Sequence, residues 1–249
     1  MRPSPTAAAV AAGILVGAAM VATRAVVDQT GPASLAFLRY LIGVACLLPP
    51  LLRVPSPRIA RRDLVPIGLL GIVQFGVLIA LLNWGLRVVP SARAALLFAT
   101  MPLMTMVLAA CLGRERLTVS RTLGVLASLA GVALTLGETA MERGDAPHAF
   151  GGEAAVLAAA ASGALCSVLY QPYLRRYPAL PVSALAMLAA VAFLAGLAAL
   201  EGFFARLPRF TATGWLAVAF IGASSGAGYY LWLTALAHAP PTSVTVSLA

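Results

Sequence analysis

The sequence has little charge, no lysine and few residues of the kinds that bind metals. Charged residues make up 10% of the 249 positions and hydrophobic residues 61%, whereas about a quarter of the residues in a soluble domain are charged. The three cysteines, Cys46, Cys111 and Cys166, lie apart in apolar segments, and the chain has two histidines. We therefore expect an integral membrane protein without a disulfide framework, a metal or a cofactor.

The positive charge comes from 17 arginines, which give a formal net charge of +9. They lie in short clusters between long apolar runs and form no basic face along a polar helix, as nucleic-acid binding would require. The composition therefore predicts a lipid bilayer, and not nucleic acid, as the chain's surroundings. It predicts no particular oligomeric state.

Helices that cross the hydrocarbon core need about 20 apolar residues. Dividing the sequence at its charges, prolines and glycines gives eight such stretches, at residues 7–27, 32–52, 64–86, 91–112, 119–137, 152–174, 181–201 and 212–236. A ninth begins near Pro241 and is cut by the end of the chain. The first run exceeds the roughly 7–15 apolar residues of a signal peptide, so we expect an uncleaved first span, with cleavage after the Ala-rich stretch as the alternative.

The arginines of the connecting loops indicate an orientation. Loops on the N-terminal side hold ten arginines and the opposite loops hold six, with Arg39 left inside a span. Because Lys and Arg are enriched in cytoplasmic loops, the sequence predicts a multi-pass protein of the inner (plasma) membrane with a cytoplasmic N-terminus.

A weak internal repeat has an offset of 150 residues. It pairs Leu86 with Leu236 and Pro90 with Pro240. Five spans in each half would insert the two halves in opposite directions, an arrangement that recurs in secondary transporters. We therefore expect an all-α inverted repeat of two five-helix halves, residues 1–140 and an incomplete 151–249. About eight complete spans and a partial ninth are present, and roughly 40 further residues would complete spans nine and ten.

Short motifs in a fixed order carry a family resemblance. They are Phe37-Leu-Arg39, Gly85-Leu-Arg-Val-Val-Pro90, Met101-Pro102, Gly113-Arg-Glu115-Arg-Leu-Thr118 and Ala235-Leu-Ala-His-Ala-Pro240. With them the chain resembles the EamA-like branch of the drug/metabolite transporter superfamily along almost its full length. The resemblance implies a ten-helix inner-membrane carrier that exports small metabolites, amino acids or drugs, with 1–140 and 151–249 as its two repeats.

Two polar residues mark a candidate substrate site at membrane depth. Gln74 lies near the middle of span three, and the offset places Ser224 at the equivalent point of span eight. Polar groups at this depth are functional candidates, and transporter sites lie between inverted repeats. The alternative is a bond to a neighbouring helix, which contributes about 0.6 kcal/mol on average.

Three helix faces mix aromatic, methionine and hydroxyl side chains. They are Arg93, Leu97, Thr100 and Met104 on span four, Ser225, Tyr229 and Trp232 on span eight, and Cys166, Tyr170 and Tyr173 on span six. Such faces suit an amphipathic organic substrate, so Arg93, Thr100, Met104, Tyr170, Ser225 and Tyr229 join Gln74 and Ser224 as candidate substrate-binding residues. Helix packing seams and interfacial aromatic belts have the same pattern.

Four residues are assigned structural roles. The resemblance places an arginine at Arg39, for which we favour a structural role, with pairing to an acid such as Asp28 as one option, over the alternative of substrate contact. Glu115 is expected to cap a helix or to pair with Arg116 or Arg121, and Pro90 and Pro240, which the repeat pairs, are also expected to be structural.

Transport without a proton relay is the simplest function that these residues predict. No Asp or Glu occupies the middle of a span, so a carboxylate relay has no candidate. Gly13-x-x-x-Gly17 and Gly222-x-x-x-Gly226 would let helices approach closely. We expect a secondary-active or facilitative exporter that binds a small molecule and works by alternating access.

Two other functions are weighed against transport. Gly222-Ala-Ser224-Ser-Gly226 fits the G-x-S-x-G pattern of hydrolases, but the 14 residues to His238 span about 21 Å of helix, so we expect no enzyme. The second is a non-catalytic, truncated membrane subunit that needs a partner chain.

Overall fold

The structure is a computed structural model that describes residues 5–53, 59–115, 117–141, 149–206 and 208–246. Within these ranges every regular element is helical and no strand occurs. The expected all-α fold class is confirmed.

Nine helices, numbered here α1 to α9, follow the apolar runs in the described ranges. They are α1 (Pro5–Arg24), α2 (Pro32–Arg53), α3 (Arg61–Gly71, a π-helical turn Ile72–Val77, and Leu78–Val88), α4 (Ser91–Phe98 and Met101–Cys111), α5 (Val119–Met141), α6 (Ala149–Leu169 and Gln171–Leu174), α7 (Ala179–Leu200), α8 (Ala212–His238) and α9 (Pro241–Val246). A 3-10 turn, Val27–Gln29, connects α1 to α2.

Seven of these helices, α1 to α4 and α6 to α8, are long and apolar enough to cross a membrane. The fifth predicted span corresponds to α5, which contains a shorter apolar stretch, Thr122–Gly131. The prediction of a multi-pass membrane protein is therefore confirmed.

Proline marks the start of α4 and of α9. Pro90 precedes α4, and its carbonyl accepts a hydrogen bond from Ala94 N at 2.9 Å. Pro240 precedes α9, and its carbonyl accepts one from Val244 N at 3.2 Å. Because proline fixes φ and disfavours a helical residue before it, it separates one span from the next at both places.

The helix bounds repeat along the chain at the offset found in the sequence. The third span runs from Arg61 to Val88 and the eighth from Ala212 to His238. The next helices begin at Ser91 and Pro241. These bounds differ by 150 or 151 residues, which favours the two predicted halves.

The core lies between α2, α3, α6, α7 and α8, and glycine allows two very close helix contacts within it. A Cβ built on Gly71 of α3 would lie 2.1 Å from the carbonyl oxygen of Ala186 on α7. One built on Gly226 of α8 would lie 2.8 Å from the carbonyl oxygen of Gly43 on α2. Space beside Gly17, in contrast, is open. The Gly222-x-x-x-Gly226 pair therefore packs against another helix, and Gly17 does not.

Polar contacts join the helices at the end of the molecule where α2 begins. Glu201, just after α7, accepts hydrogen bonds from Ala33 N at 3.0 Å and Ser34 N at 2.8 Å. Asn83 Nδ2 of α3 donates to the carbonyl of Pro32 at 3.0 Å. The carboxylate thus satisfies N–H groups that the first turn of a helix leaves unpaired.

A second polar group ties the opposite end together. Tyr177 OH, between α6 and α7, donates to Asp63 Oδ2 at 2.7 Å and accepts from Ala60 N at 3.2 Å. Arg176 Nη1 lies 3.6 Å from the same Asp63 oxygen. The α2–α3 and α6–α7 loops, which the alternation of spans places on the same side of the membrane, are therefore in contact.

Candidate functional site

A cavity lies between α1, α2, α3, α4 and α8, and residues from both predicted halves form its wall. Its cavity volume is about 90 Å³, which is room for several water molecules. The wall consists of Leu15, Val16, Met20, Arg39, Tyr40, Gln74, Phe75, Leu78, Ile79, Leu82, Phe98, Met101, Ser224, Ser225, Gly228, Tyr229 and Trp232.

The π-helical turn of α3 presents Gln74 to this cavity. In this turn Leu78 N–H bonds to Val73 O, a span of five residues where an α-helix has four, and such turns are frequent at functional sites. The Gln74 Oε1 atom is buried and has no hydrogen-bond partner among the described residues. It is an acceptor that a bound molecule can use.

Ser224 and Ser225 lie on α8, opposite this turn. Ser224 Oγ donates to the carbonyl of Ile221 at 3.1 Å, and Ser225 Oγ donates to the same carbonyl at 2.6 Å. Both side chains are buried and line the cavity. The predicted pair of Gln74 and Ser224 is thus brought to one cavity.

An aromatic cluster forms one side of the site. The ring of Phe75 packs against Tyr40 with 4.6 Å between centroids and against Tyr229 with 4.2 Å. Tyr229 in turn packs on Trp232 at 5.2 Å, and Tyr170 lies 6.3 Å from both of these rings. Tyr170 OH, Tyr229 OH and Trp232 Nε1 are buried without a hydrogen-bond partner in the described part of the chain.

Of the two tyrosines expected at the site, Tyr229 lines the cavity and Tyr170 lies behind it. Trp232 was not among the expected substrate-binding residues, because it falls near the predicted interface, where aromatic belts occur. The spacing of three residues from Tyr229 was the available signal for it, since this puts both on one helix face.

Arg39 also faces the cavity, although the sequence favoured a structural role for it. Its Nε donates to Ser225 Oγ at 2.5 Å, and its guanidinium carbon lies 5.6 Å from the centroid of the Tyr40 ring. Its side chain is buried, with 8% of the residue exposed. Its partner is a hydroxyl on α8 and not the suggested Asp28.

The expected stripe on α4 does not line the cavity. Arg93 Nη2 pairs with Glu153 Oε1 at 2.8 Å, and Thr100 Oγ1 donates to the carbonyl of Leu97 at 2.7 Å. Met104 packs beside Met101 and α6. The helix is interrupted at residues 99–100, so the spacing expected of one continuous helix does not hold. Phe98 and Met101 face the cavity in their place.

Glu115 follows α4 by four residues and lies near the start of α9. Its Oε1 accepts a hydrogen bond from Thr242 N at 3.2 Å. The carboxylate thus bonds to an N–H group in the first turn of α9. Of the alternative partners, Arg116 and the side chain of Arg121 lie outside the described residues.

The hydrolase pattern does not come together with its histidine. Ser224 lies within the continuous helix α8, whereas His238 ends that helix and its Nδ1 lies 2.8 Å from the carbonyl of Thr234. The described ranges also contain no group of three His, Cys, Asp or Glu side chains that could hold a metal.

Comparison with known proteins agrees with this architecture. Residues 5–137 and 150–249 match the EamA-like transporter family. One solved crystal structure superposes with a TM-score of 0.81 at 25% identity, over 100% of this chain and 86% of the other.

Two curated proteins are similar in sequence. One, from Streptantibioticus cattleyicolor, is named "Probable terminal-alkyne amino-acid exporter" and is 33% identical over 200 residues, 79% of this chain. The other, "Uncharacterized transporter YdfC" of Bacillus subtilis, is 31% identical over 160 residues, 64% of this chain. The matches span 64% and 50% of the lengths of these relatives. With its helical spans and the family match over both of its halves, this chain belongs to the EamA-like transporter family.

Proposed function

We propose that this chain is an exporter of small organic molecules, with the cavity between α1, α2, α3, α4 and α8 as its substrate site. The observation that carries this is the cavity wall, which joins residues of both predicted halves and is mostly apolar with a few polar groups. A buried acceptor on α3 and buried donors on α8 have no hydrogen-bond partner within the described ranges. Transporter substrates bind in this place, between two repeats near the midplane.

Amino-acid-like compounds are the substrate class that we favour. The Streptantibioticus relative carries an amino-acid exporter's name. The cavity offers both an aromatic wall and polar atoms that bond to no other described residue, which suits a molecule with an apolar side chain and a polar end.

We further propose alternating access of two five-helix halves, residues 1–140 and 151–249, driven by secondary coupling or by the substrate gradient. The repeat of helix bounds supports two such halves. The interruptions in α3 and α4 support the site, because broken helices surround substrates in carriers. The polar contacts of Glu201 at one end and Asp63 at the other suit gates on either side of the cavity. The arginine distribution supports a cytoplasmic N-terminus in the inner membrane.

The test is uptake or efflux of amino acids and cationic drugs by proteoliposomes containing the purified chain. Ser224→Leu places a larger apolar side chain in the cavity, and we expect it to reduce transport at least tenfold. Ser162→Leu is the matched control, since Ser162 is partly exposed on α6, does not line the cavity, and its hydroxyl bonds to its own helix, at Ala158 O.

Equal transport by both variants would contradict the proposed site. Absence of transport by the wild-type chain would contradict the proposed function.

A further inference from the structure

The cavity contains a cation, Arg39, whose charge is not neutralised by any nearby residue that the structure describes. Of the described residues in the cavity wall, Arg39 is the single charged one. Residue 39 lies about 10 Å along the axis of α2 from Pro32, at a helix rise of 1.5 Å per residue. Among the described residues, no carboxylate lies within ion-pair distance of its guanidinium. A buried charge of this kind is expensive unless it is paired.

A purely structural role explains little of this arrangement. A hydrogen bond to Ser225 links α2 to α8, but a neutral donor would make that link without the cost of a buried charge. Ser225 Oγ also donates to Ile221 O, so the hydroxyl is engaged on both sides and holds the Nε edge of the guanidinium in place.

The rest of the guanidinium is left for a ligand. Arg has five N–H donors in a planar fork, and the bond from Nε to Ser225 uses one. The two Nη groups keep four donors in the geometry that binds both oxygens of a carboxylate. Phosphate fits the same fork, but the apolar and aromatic wall leaves few donors for the remaining oxygens of that dianion.

We propose that Arg39 binds the carboxylate of the transported compound, with Ser225 as the positioning residue that orients the guanidinium. This rests on the proposed function and names its substrate class: small carboxylic acids with an apolar side chain. The side chain packs on Phe75, Tyr229 and Trp232, and an α-ammonium group, where present, is bound by Gln74 Oε1, which lacks a partner in the described part of the chain.

Binding can be measured with the tryptophan of the cavity itself. The chain has three tryptophans, and Trp84 and Trp215 are 43% and 49% exposed. The double variant Trp84→Phe, Trp215→Phe therefore leaves Trp232 as the single reporter of the site. Ligands are norvaline and phenylalanine, each with its methyl ester, and the acids that lack the amino group, pentanoate and 3-phenylpropanoate.

We expect each amino acid to bind about 10- to 100-fold more tightly than its ester, the effect of one charge-assisted pair. Arg39→Gln removes this preference, so that acid and ester bind within about twofold of each other, while Arg39→Lys keeps part of it. Pentanoate and 3-phenylpropanoate show whether the ammonium group contributes to binding. They bind as tightly as the amino acids if the carboxylate alone is recognised, and more weakly if Gln74 adds a bond to the ammonium.

Equal binding of acid and ester by the wild-type site, or an acid preference that survives Arg39→Gln, overturns the inference. So does the failure of every acid to bind. Transport of esters or amines by the same protein would still uphold the proposed function in those cases, and only the loss of all transport would remove both. If Arg39→Gln does not fold, the wild-type ester comparison and Arg39→Lys decide the question.

Discussion

At the scale of single residues, the hydroxyl groups of two tyrosines stand in opposite situations. Tyr177 OH bonds to Asp63 and Ala60 at one end of the molecule. Tyr229 OH is buried in the cavity wall without a partner in the described residues. A buried polar group without a partner destabilises the protein, and one with two partners stabilises it. The first hydroxyl therefore serves the fold, and the second is available to a ligand.

The substitution Tyr177→Phe removes two hydrogen bonds and leaves Asp63 partly unpaired. We expect it to lower the free energy of unfolding by about 1–3 kcal/mol. Tyr229→Phe removes at most a weak contact with the Tyr170 hydroxyl, so it should lower stability less than Tyr177→Phe does, while transport falls about fivefold. Thermal unfolding in detergent and transport in proteoliposomes would measure both. A larger loss of stability in Tyr229→Phe than in Tyr177→Phe would contradict the assignment of the Tyr177 hydroxyl to the fold and of the Tyr229 hydroxyl to a ligand.

Several candidate residues could be predicted from the sequence and others could not. Gln74, Ser224, Ser225 and Tyr229 were recognisable because a polar or aromatic group at membrane depth is conspicuous in a chain that is 61% hydrophobic. The role of Arg39 was not, because its partner Ser225 lies 186 residues away in sequence. Tertiary contacts of this kind leave no local pattern.

At the scale of helices, the contact of α2 with α8 depends on the absence of side chains. The backbone of Gly226 faces that of Gly43, and a Cβ there would lie 2.8 Å from the Gly43 oxygen. This contact lies one residue from Ser225, which holds Arg39. The distance between the backbones of α2 and α8 therefore affects the positions of Ser225 and Arg39 in the cavity wall.

The substitution Gly226→Ala should separate the two helices. We expect a loss of about 1–3 kcal/mol of stability from overpacking and reduced transport. Gly17→Ala is the control, because the same Cβ on α1 meets open space and alanine favours a helix by up to about 1 kcal/mol. Unfolding temperatures of the two variants would compare them. Equal temperatures would show that the α2–α8 contact tolerates the methyl group.

The interruptions within α3 and α4 were beyond what the sequence predicted. Both lie inside apolar runs that read as continuous spans, and Pro102 was the one local signal near the break in α4. The π-helical turn follows Gly71, whose close packing on Ala186 involves another helix. Boundaries at Pro90 and Pro240, in contrast, were predictable because proline imposes them locally.

At the scale of the whole molecule, successive loops lie in turn at its two ends. Asp63, Arg176 and Tyr177 meet at one end, and Glu201 meets the start of α2 at the other. The alternation was predictable from hydropathy, since each apolar run returns the chain to the opposite side.

This arrangement can be tested by labelling single cysteines from outside the cell. In a background where Cys46, Cys111 and Cys166 are replaced by alanine, Arg62→Cys and Arg206→Cys introduce exposed thiols separated by five spans. An impermeant maleimide should label the cysteine at 206 in intact cells and the one at 62 only after permeabilisation. Labelling of both in intact cells would contradict the span count, and the reverse pattern would contradict the orientation.

The π-helical turn also makes the two halves of the molecule unequal. The span from Arg61 to Val88 has 28 residues and its counterpart from Ala212 to His238 has 27, and the turn accommodates the additional residue by closing over five residues. If the two halves exchange conformations in the proposed cycle, the structure after the exchange therefore differs from the structure before it. If the chain works by the proposed cycle, we expect its inward- and outward-open conformations to differ in free energy, so that the unloaded carrier prefers one side of the membrane even when no gradient is applied.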